Sequence, residues 1–139
     1  MKPSIAIFIE GGGDSAEGKA QLRQGFDALL HRQKDAARAR RLGWRITMCG
    51  GRRAAYAAFV ATAANGGGDV ILALLVDAEG PVLGTDDAAR AVHLSQRDGW
   101  DLSFVPAERV HLMVQCMEAW IVADPDAVAT FYGQHFVRN

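Results

Sequence analysis

The sequence has few cysteines and no long apolar segment. Its two cysteines, Cys49 and Cys116, are too few for the disulfide framework of a small secreted protein. The longest apolar run, residues 70–76, is far shorter than the roughly 20 residues of a membrane-spanning helix. Nothing that resembles a secretory signal peptide opens the chain. We therefore expect a cytoplasmic protein that has no membrane partner.

A large net charge is also missing, which argues against a disordered chain. The formal net charge of the 139 residues is −1 and half of them are hydrophobic, so the composition indicates one globular domain over residues 1–139. Residues 1–65 carry eleven Lys or Arg and five acids, whereas the remainder carries four Arg and eleven acids. Such a division is typical of a protein that binds a polyanion on one side and a cation on the other. It is equally typical of a protein whose two faces are merely solvated differently.

Short apolar runs and amphipathic segments alternate along the chain. Residues 4–9 and 70–76 are nearly continuous apolar runs, which is typical of strands covered on both faces. Residues 44–49 alternate with a period of two, and residues 15–41 carry an apolar stripe with helical spacing that ends near Gly43. The other predicted elements are a helix with Tyr56, Phe59, Val60 and Ala63, a helix over residues 86–97, a strand over residues 109–115, and a helix that Asp124 and Pro125 begin. This order predicts an α/β sandwich with helices on both faces of a mainly parallel sheet of about four strands.

Acidic residues follow the predicted strands. Glu10 ends the first strand and Asp14 lies four residues later, while Asp77 and Glu79 follow the third strand. Because ligands bind at the carboxyl ends of parallel strands, carboxylates that meet there would need a cation, and oxygen ligands select Mg²⁺ or Mn²⁺. Glu118, after the fourth strand, is a further candidate ligand or a partner for Arg52. The ordinary alternative is that these acids are helix caps and solvated turn residues.

The glycines after the first strand permit a second interpretation. Residues 13–19 have the Gly-x-x-x-x-Gly-Lys spacing of a phosphate-binding P-loop, in which Lys19 would contact the phosphates. However, Ala20 stands where a Ser or Thr hydroxyl should hold Mg²⁺, and Asp14 and Glu17 would place negative charge in the loop. A nucleotide-binding protein therefore stays an alternative.

Arginines are candidate contacts to a nucleic-acid backbone. Arg41 and Arg45 lie around the end of the first helix and the start of the second strand, where they would equally complement the helix dipole. Arg52 and Arg53 begin the second helix, where main-chain N–H groups already favour phosphate. Because Arg52 also follows a strand at the predicted acidic edge, it is a candidate phosphate ligand or transition-state stabiliser, or else a partner of Asp77.

Six motifs together extend over nearly the whole chain. They are IFIEGGGD at residues 7–14, CGGR at 49–52, LVDAEGPV at 75–82, HLMVQCMEAW at 111–120, ADP at 123–125 and FYG at 131–133. In this order they resemble the DUF4276 family, a bacterial family of uncharacterised proteins with a Toprim-like fold.

The resemblance implies a Toprim-like, Rossmannoid sandwich of the kind found in topoisomerases, primases and some nucleases. It implies a divalent-metal-dependent nuclease in which Glu10 is a metal ligand and the general acid or base. By the same resemblance, Asp14, Asp77 and Glu79 would bind Mg²⁺ or Mn²⁺, and Asp77 and Arg52 would join Glu10 in catalysis. One departure is Glu79, since the Toprim pattern has Asp at that position.

The resemblance also implies partners. Members of the family look like companions of ATPases in anti-phage or mobile-element systems, so the expected partners are nucleic acid and an ATPase, and a homodimer is a candidate assembly. The resemblance also implies that family members continue further, so the domain over residues 1–139 is expected to lack a C-terminal extension. The alternative function is a non-catalytic regulatory or adaptor subunit with a vestigial metal site.

Overall fold

The computed structural model describes residues 2–66 and 68–133, so both ends of the predicted domain lie partly outside the described residues. The elements in chain order are β1 (Ser4–Ile9), α1 (Ala16–Leu29), α2 (His31–Ala39), β2 (Gly43–Met48), α3 (Arg52–Asn65), β3 (Val70–Asp77), α4 (Asp87–Asp98), a 3-10 helix (Ala107–Arg109), β4 (Val110–Met113), α5 (Met117–Val122) and α6 (Pro125–Tyr132). The four strands form one sheet in the order β2, β1, β3, β4, and every neighbouring pair is parallel. The predicted α/β fold class with a parallel sheet is therefore confirmed.

Helices cover both faces of the sheet and produce two apolar cores. On one face, Phe8 of β1 packs in a cluster with Phe59 of α3 and Leu94 of α4. On the other face, Ile9 packs in a cluster with Phe26 of α1. Successive side chains of a strand point to opposite faces, so a strand buried on both sides must be apolar throughout. This burial explains the continuous apolar runs of β1 and β3.

Strand register brings three strand ends to one edge of the sheet. Ile9, the last residue of β1, lies opposite Leu75 of β3 and Met48 of β2. The segments that follow these strands therefore leave the sheet side by side, at what we call the carboxyl edge. The opposite edge, where the four strands begin, is called the amino edge below.

The prediction of one helix over residues 15–41 is wrong, because the chain forms two helices there. The break falls at Leu30 (φ −96°, ψ 20°), between α1 and α2. Asp27, near the end of α1, accepts a hydrogen bond from the Trp44 indole at 3.1 Å and pairs with Lys34 of α2. These contacts tie the two helices and β2 together at the bend.

The expected helix end near Gly43 is also wrong. Arg41 (φ 59°) adopts the left-handed conformation after α2, and Gly43 begins β2 instead. A side chain at Gly43 would lie only 2.9 Å from Cβ of Ser4, so the glycine allows β1 and β2 to approach closely.

The last two predicted elements are present with small differences. The fourth strand is shorter than predicted, because Arg109 belongs to a 3-10 helix and the strand ends at Met113. Helix α6 begins as predicted, with Pro125 as its first residue and the Asp124 carboxylate accepting the Ala127 N–H at 3.1 Å. Within the described part of the chain, none of the helices combines the length and the apolar character needed to cross a bilayer.

Candidate metal centre

Three carboxylates meet at the carboxyl edge of the sheet. Glu10 follows β1, Asp77 ends β3, and Glu79 lies two residues beyond it. One oxygen from each of the three side chains lies within 4.8 Å of the others. They meet because β1 and β3 are parallel neighbours, in which Ile9 lies opposite Leu75 and β3 ends two residues later at Asp77. The expectation that acids after these two strands would converge holds for these three residues.

Glu10 is held in place by the neighbouring strand. Its main-chain N–H donates to the Leu75 carbonyl at 3.0 Å, and its Oε2 accepts the Asp77 N–H at 2.8 Å. Burial raises the pKa of Glu10, although the Asp77 N–H and the charge of Arg52 act against this. Glu10 therefore holds a proton more readily than an exposed glutamate does.

Asp77 joins β3 to the start of α5. Its Oδ1 accepts the main-chain N–H of Met117, the first residue of that helix, at 2.8 Å. Desolvation raises the pKa of Asp77, and the charges of Glu118 and Glu79 raise it further. Burial and the neighbouring acids therefore both disfavour the charged form of Asp77.

Glu79 is the most exposed of the three acids, with 41% of its side chain accessible. Its backbone is left-handed (φ 59°), and its N–H donates to the Gln115 carbonyl at 2.7 Å. The preceding residue, Ala78, is fully buried, and its carbonyl lies 2.7 Å from Nε2 of His93 in α4. The turn that carries Glu79 is thus held by two contacts, one with the Gln115 carbonyl and one with the His93 side chain.

Arg52, the first residue of α3, is the cation of this site. Its Nη1 donates to the Asp77 carbonyl at 2.9 Å and lies 3.4 Å from Oε2 of Glu10 and 4.0 Å from Oε1 of Glu79. Its Nε and Nη2 both donate to the Asp98 carboxylate, at 2.9 and 2.8 Å. These acids, Asp98 first among them, outweigh burial and raise the pKa of Arg52. Arg52 therefore contacts Asp77, one of its two expected roles, but through the main chain.

Asp98 and Trp100 complete the surroundings of Arg52. Asp98 ends α4, and only 11% of its side chain is exposed. The guanidinium carbon lies 5.3 Å from the centroid of the Trp100 ring, which in turn stacks on Tyr56 at 4.6 Å. Sequence reasoning missed Asp98. Its one signal is that an acid in the last turn of a helix opposes the helix dipole and so needs a compensating cation.

The other two predicted ligands, Asp14 and Glu118, are not members of this three-acid cluster. Asp14 is exposed in the turn before α1 and is not one of the three acids that come together. Glu118, the second residue of α5, is exposed as well, and its charge acts on Asp77. Among the described residues, the structure therefore gathers Glu10, Asp77 and Glu79 as the candidate metal ligands.

The predicted nucleic-acid contacts are divided between the two edges of the sheet. Arg53 is exposed beside Arg52 at the start of α3, on the carboxyl edge. Arg41 precedes β2 and lies at the amino edge, and Arg45, exposed on β2, lies opposite Ala6 in the first half of β1. Of these four arginines, only Arg52 and Arg53 therefore lie on the same edge of the sheet as the three acids.

The glycine loop after β1 is folded too tightly to match a P-loop. Gly11 forms a β-bridge with Gly50, and α1 begins at Ala16, so Gly18 and Lys19 lie inside the helix rather than before it. The Ser15 side chain already caps the helix by accepting the Gly18 N–H at 3.0 Å. This geometry does not favour the nucleotide-binding alternative.

The donor set at the carboxyl edge fits a hard divalent cation. The three acids offer only carboxylate oxygens, which suit Mg²⁺ or Mn²⁺, and His93 is engaged with a main-chain carbonyl. Arg52 is the one cation that the described residues place within ion-pair distance of these acids. A bound divalent ion would therefore supply the charge that the cluster lacks.

Comparison with known proteins identifies a family. A family model described as a domain of unknown function, DUF4276, matches residues 9–138, which is nearly the whole chain. No curated protein and no solved structure matches the chain.

Proposed function

We propose that this chain, which belongs to the DUF4276 family, is a divalent-metal-dependent enzyme that hydrolyses phosphodiester bonds in nucleic acid. One observation carries the proposal: Glu10, Asp77 and Glu79 place carboxylate oxygens within 4.8 Å of one another at the ends of two central strands. Sites of this kind hold the ions that act in phosphoryl transfer.

The metal ligands would be these three acids, and the ion would be Mg²⁺ or Mn²⁺. When bound, such an ion polarises the phosphate, activates an attacking water and neutralises charge on the leaving oxygen. Glu10 is the candidate general acid or base, because it lies among the candidate metal ligands and burial raises its pKa, as is common for catalytic carboxyl groups. Asp77 keeps its orientation through the Met117 N–H.

The exposed surface beside the acids would receive the substrate. Arg53 lies at the N-terminus of α3, where its charge and the helix dipole both favour a phosphate. Arg41 and Arg45 would contact only a more distant part of a long substrate, because they lie towards the amino edge. An ATPase partner in an anti-phage or mobile-element system belongs to the same proposal and rests on the family resemblance.

Cleavage assays test the proposal. End-labelled single- and double-stranded DNA and RNA would be incubated with the protein and Mn²⁺, with and without a co-expressed ATPase. We expect Glu10→Gln and Asp77→Asn to lower the rate by at least about 100-fold. The matched control is Glu108→Gln, which removes the same charge from an exposed residue near the amino edge and should leave the rate unchanged. Cleavage that survives both site variants would contradict the proposal.

One observation favours a second candidate, a non-catalytic adaptor that binds a metal for structural reasons. All three nitrogens of Arg52 already donate to groups of the protein, so this arginine offers little to a transition state. An adaptor would bind Mn²⁺ through the same acids and yet cleave no nucleic acid in any of these assays. Calorimetry of Mn²⁺ binding beside the cleavage assay separates the two candidates.

A further inference from the structure

Arg52 divides its hydrogen bonds between two groups of acids. The edge of the guanidinium formed by Nε and Nη2 is paired in bidentate fashion with Asp98. The remaining nitrogen, Nη1, makes its short contact to the Asp77 main-chain carbonyl and only a 3.4 Å contact to Glu10. Only Nη1 of the guanidinium therefore faces the candidate metal ligands. The pair Nε and Nη2, which could bind a carboxylate in bidentate fashion, faces Asp98 instead.

We propose that Asp98 is a positioning residue that holds Arg52 back from the metal centre, so that the oxygens of Glu10 and Glu79 stay available to a divalent cation. This inference rests on the metal site of the proposed function. It assigns Asp98 no contact with metal or substrate, since it acts only through Arg52.

The distances show what Asp98 prevents. Glu10 and Glu79 lie 3.4 and 4.0 Å from Nη1, so a modest rotation of a freed guanidinium would bring its bidentate edge onto one of them. A bidentate arginine–carboxylate pair is among the strongest hydrogen-bonded contacts in proteins, and it would occupy the oxygens that a metal needs. Arg52 would then be an internal competitor of the cation.

The end of α4 is built to keep Arg52 in place. Asp98 also accepts a hydrogen bond from Arg97 at 2.9 Å, so the charge of its partly buried side chain is compensated by two arginines. Two residues later, Trp100 places its ring 5.3 Å from the guanidinium carbon. Asp98 and Trp100 thus both contact the guanidinium from the side of α4.

Mn²⁺ binding to purified variants, measured by calorimetry, tests the proposal. We expect Asp98→Asn to weaken Mn²⁺ affinity by about tenfold or more, as removal of residues that orient metal ligands commonly does. Asp98→Glu should keep most of the affinity, because it retains a carboxylate for Arg52. The matched control is Asp87→Asn, at the other end of α4, where the acid pairs with Arg90 and should not affect the affinity.

A double variant separates positioning from mere structural damage. If Arg52 is the competitor, adding Arg52→Gln to Asp98→Asn should restore Mn²⁺ affinity at least to the wild-type level. Thermal unfolding of each variant shows whether it is folded, and the side-chain Nε–H signal of Arg52 in NMR spectra should shift in Asp98→Asn without any metal present.

The outcomes distinguish this inference from the proposed function. Wild-type affinity in a folded Asp98→Asn variant, or a loss that the double variant does not reverse, overturns the role of Asp98 and leaves the metal site intact. If the wild-type protein binds no Mn²⁺, the proposed metal site is wrong, and the positioning role of Asp98 is then wrong as well.

Discussion

Both edges of the sheet carry charged residues, but these residues differ in how far they are buried. At the carboxyl edge, Glu10 and Arg52 leave only 13% and 16% of their side chains exposed and are hydrogen-bonded to neighbouring elements. At the amino edge, Arg41, Asp69 and Glu108 are exposed. Burial makes it costly to keep Glu10 charged in the absence of a bound cation, whereas the exposed residues of the amino edge keep their charges in water at little cost.

This difference shows why a count of acids is a poor guide to a site. Surface acids are common and mostly solvated, whereas acids that are partly buried and share neighbours have perturbed pKa values, as Glu10 and Asp77 do. If the carboxyl edge is built for a ligand, changes there should affect stability, pH response and metal binding together. Equivalent changes at the amino edge should not.

The largest effect on stability is expected from a glycine of the loop that shapes the carboxyl edge. Gly12 has a φ of 88°, and a Cβ there would lie 2.9 Å from Cα of Lys19. Gly12→Ala should therefore lower the free energy of unfolding by about 3 kcal/mol, from backbone strain and overpacking together. At the amino edge, Gly43→Ala meets Ser4 at a similar distance without a positive φ, and we expect about 1 kcal/mol. Urea unfolding measures both, and equal losses would contradict the comparison.

A second prediction concerns the contact between Asp77 and α5. Asp77→Ala leaves the Met117 N–H without its acceptor, so we expect a loss of about 1 to 2 kcal/mol in metal-free protein. Asp77→Asn keeps an acceptor and removes a repelled charge, so it should be at least as stable as the wild type. The amino-edge control is Asp69→Ala, which changes an exposed side chain and should have little effect. An equal loss in the Ala and Asn variants would show that the charge, and not the hydrogen bond, matters.

A third and smaller effect is a dependence of metal-free stability on pH. The pKa values of Glu10 and Asp77 lie above their ordinary values of 4.5 and 3.8, so the folded state binds protons more tightly than the unfolded state. Their contribution to stability is greatest below those ordinary values and decreases as the pH rises through the raised pKa values.

Chemical denaturation over a pH series in a chelating buffer checks this third prediction. Glu10→Gln should reduce the dependence in that pH range, and Glu108→Gln at the amino edge should leave it unchanged. Saturating Mn²⁺ should reverse the trend, because the bound ion favours the ionised carboxylates. A Glu10→Gln variant with the wild-type pH dependence would show that Glu10 is not responsible.

The sequence predicts the convergence of Glu10 and Asp77 because both follow apolar strands buried on both faces, and such strands are parallel neighbours near the centre of a sheet. It does not predict the contact of Arg52 with Asp98, which joins residues 46 positions apart through the packing of α3 and α4. Nor does helical periodicity reveal the bend at Leu30, since an amphipathic stripe can continue through it. Long-range polar contacts and local backbone turns are the parts that only the assembled fold determines.

The smallest effects are expected at two left-handed residues, one at each edge. Arg41 and Glu79 both have a φ of 59°, a conformation that asparagine tolerates better than most residues. Arg41→Asn and Glu79→Asn should each raise the free energy of unfolding of metal-free protein by about 0.5 kcal/mol. Only Glu79→Asn should also weaken Mn²⁺ binding, because it removes a ligand charge at the carboxyl edge. Thermal unfolding and calorimetry of both variants decide the point, and a loss of Mn²⁺ affinity in Arg41→Asn would mean that the two edges are not independent.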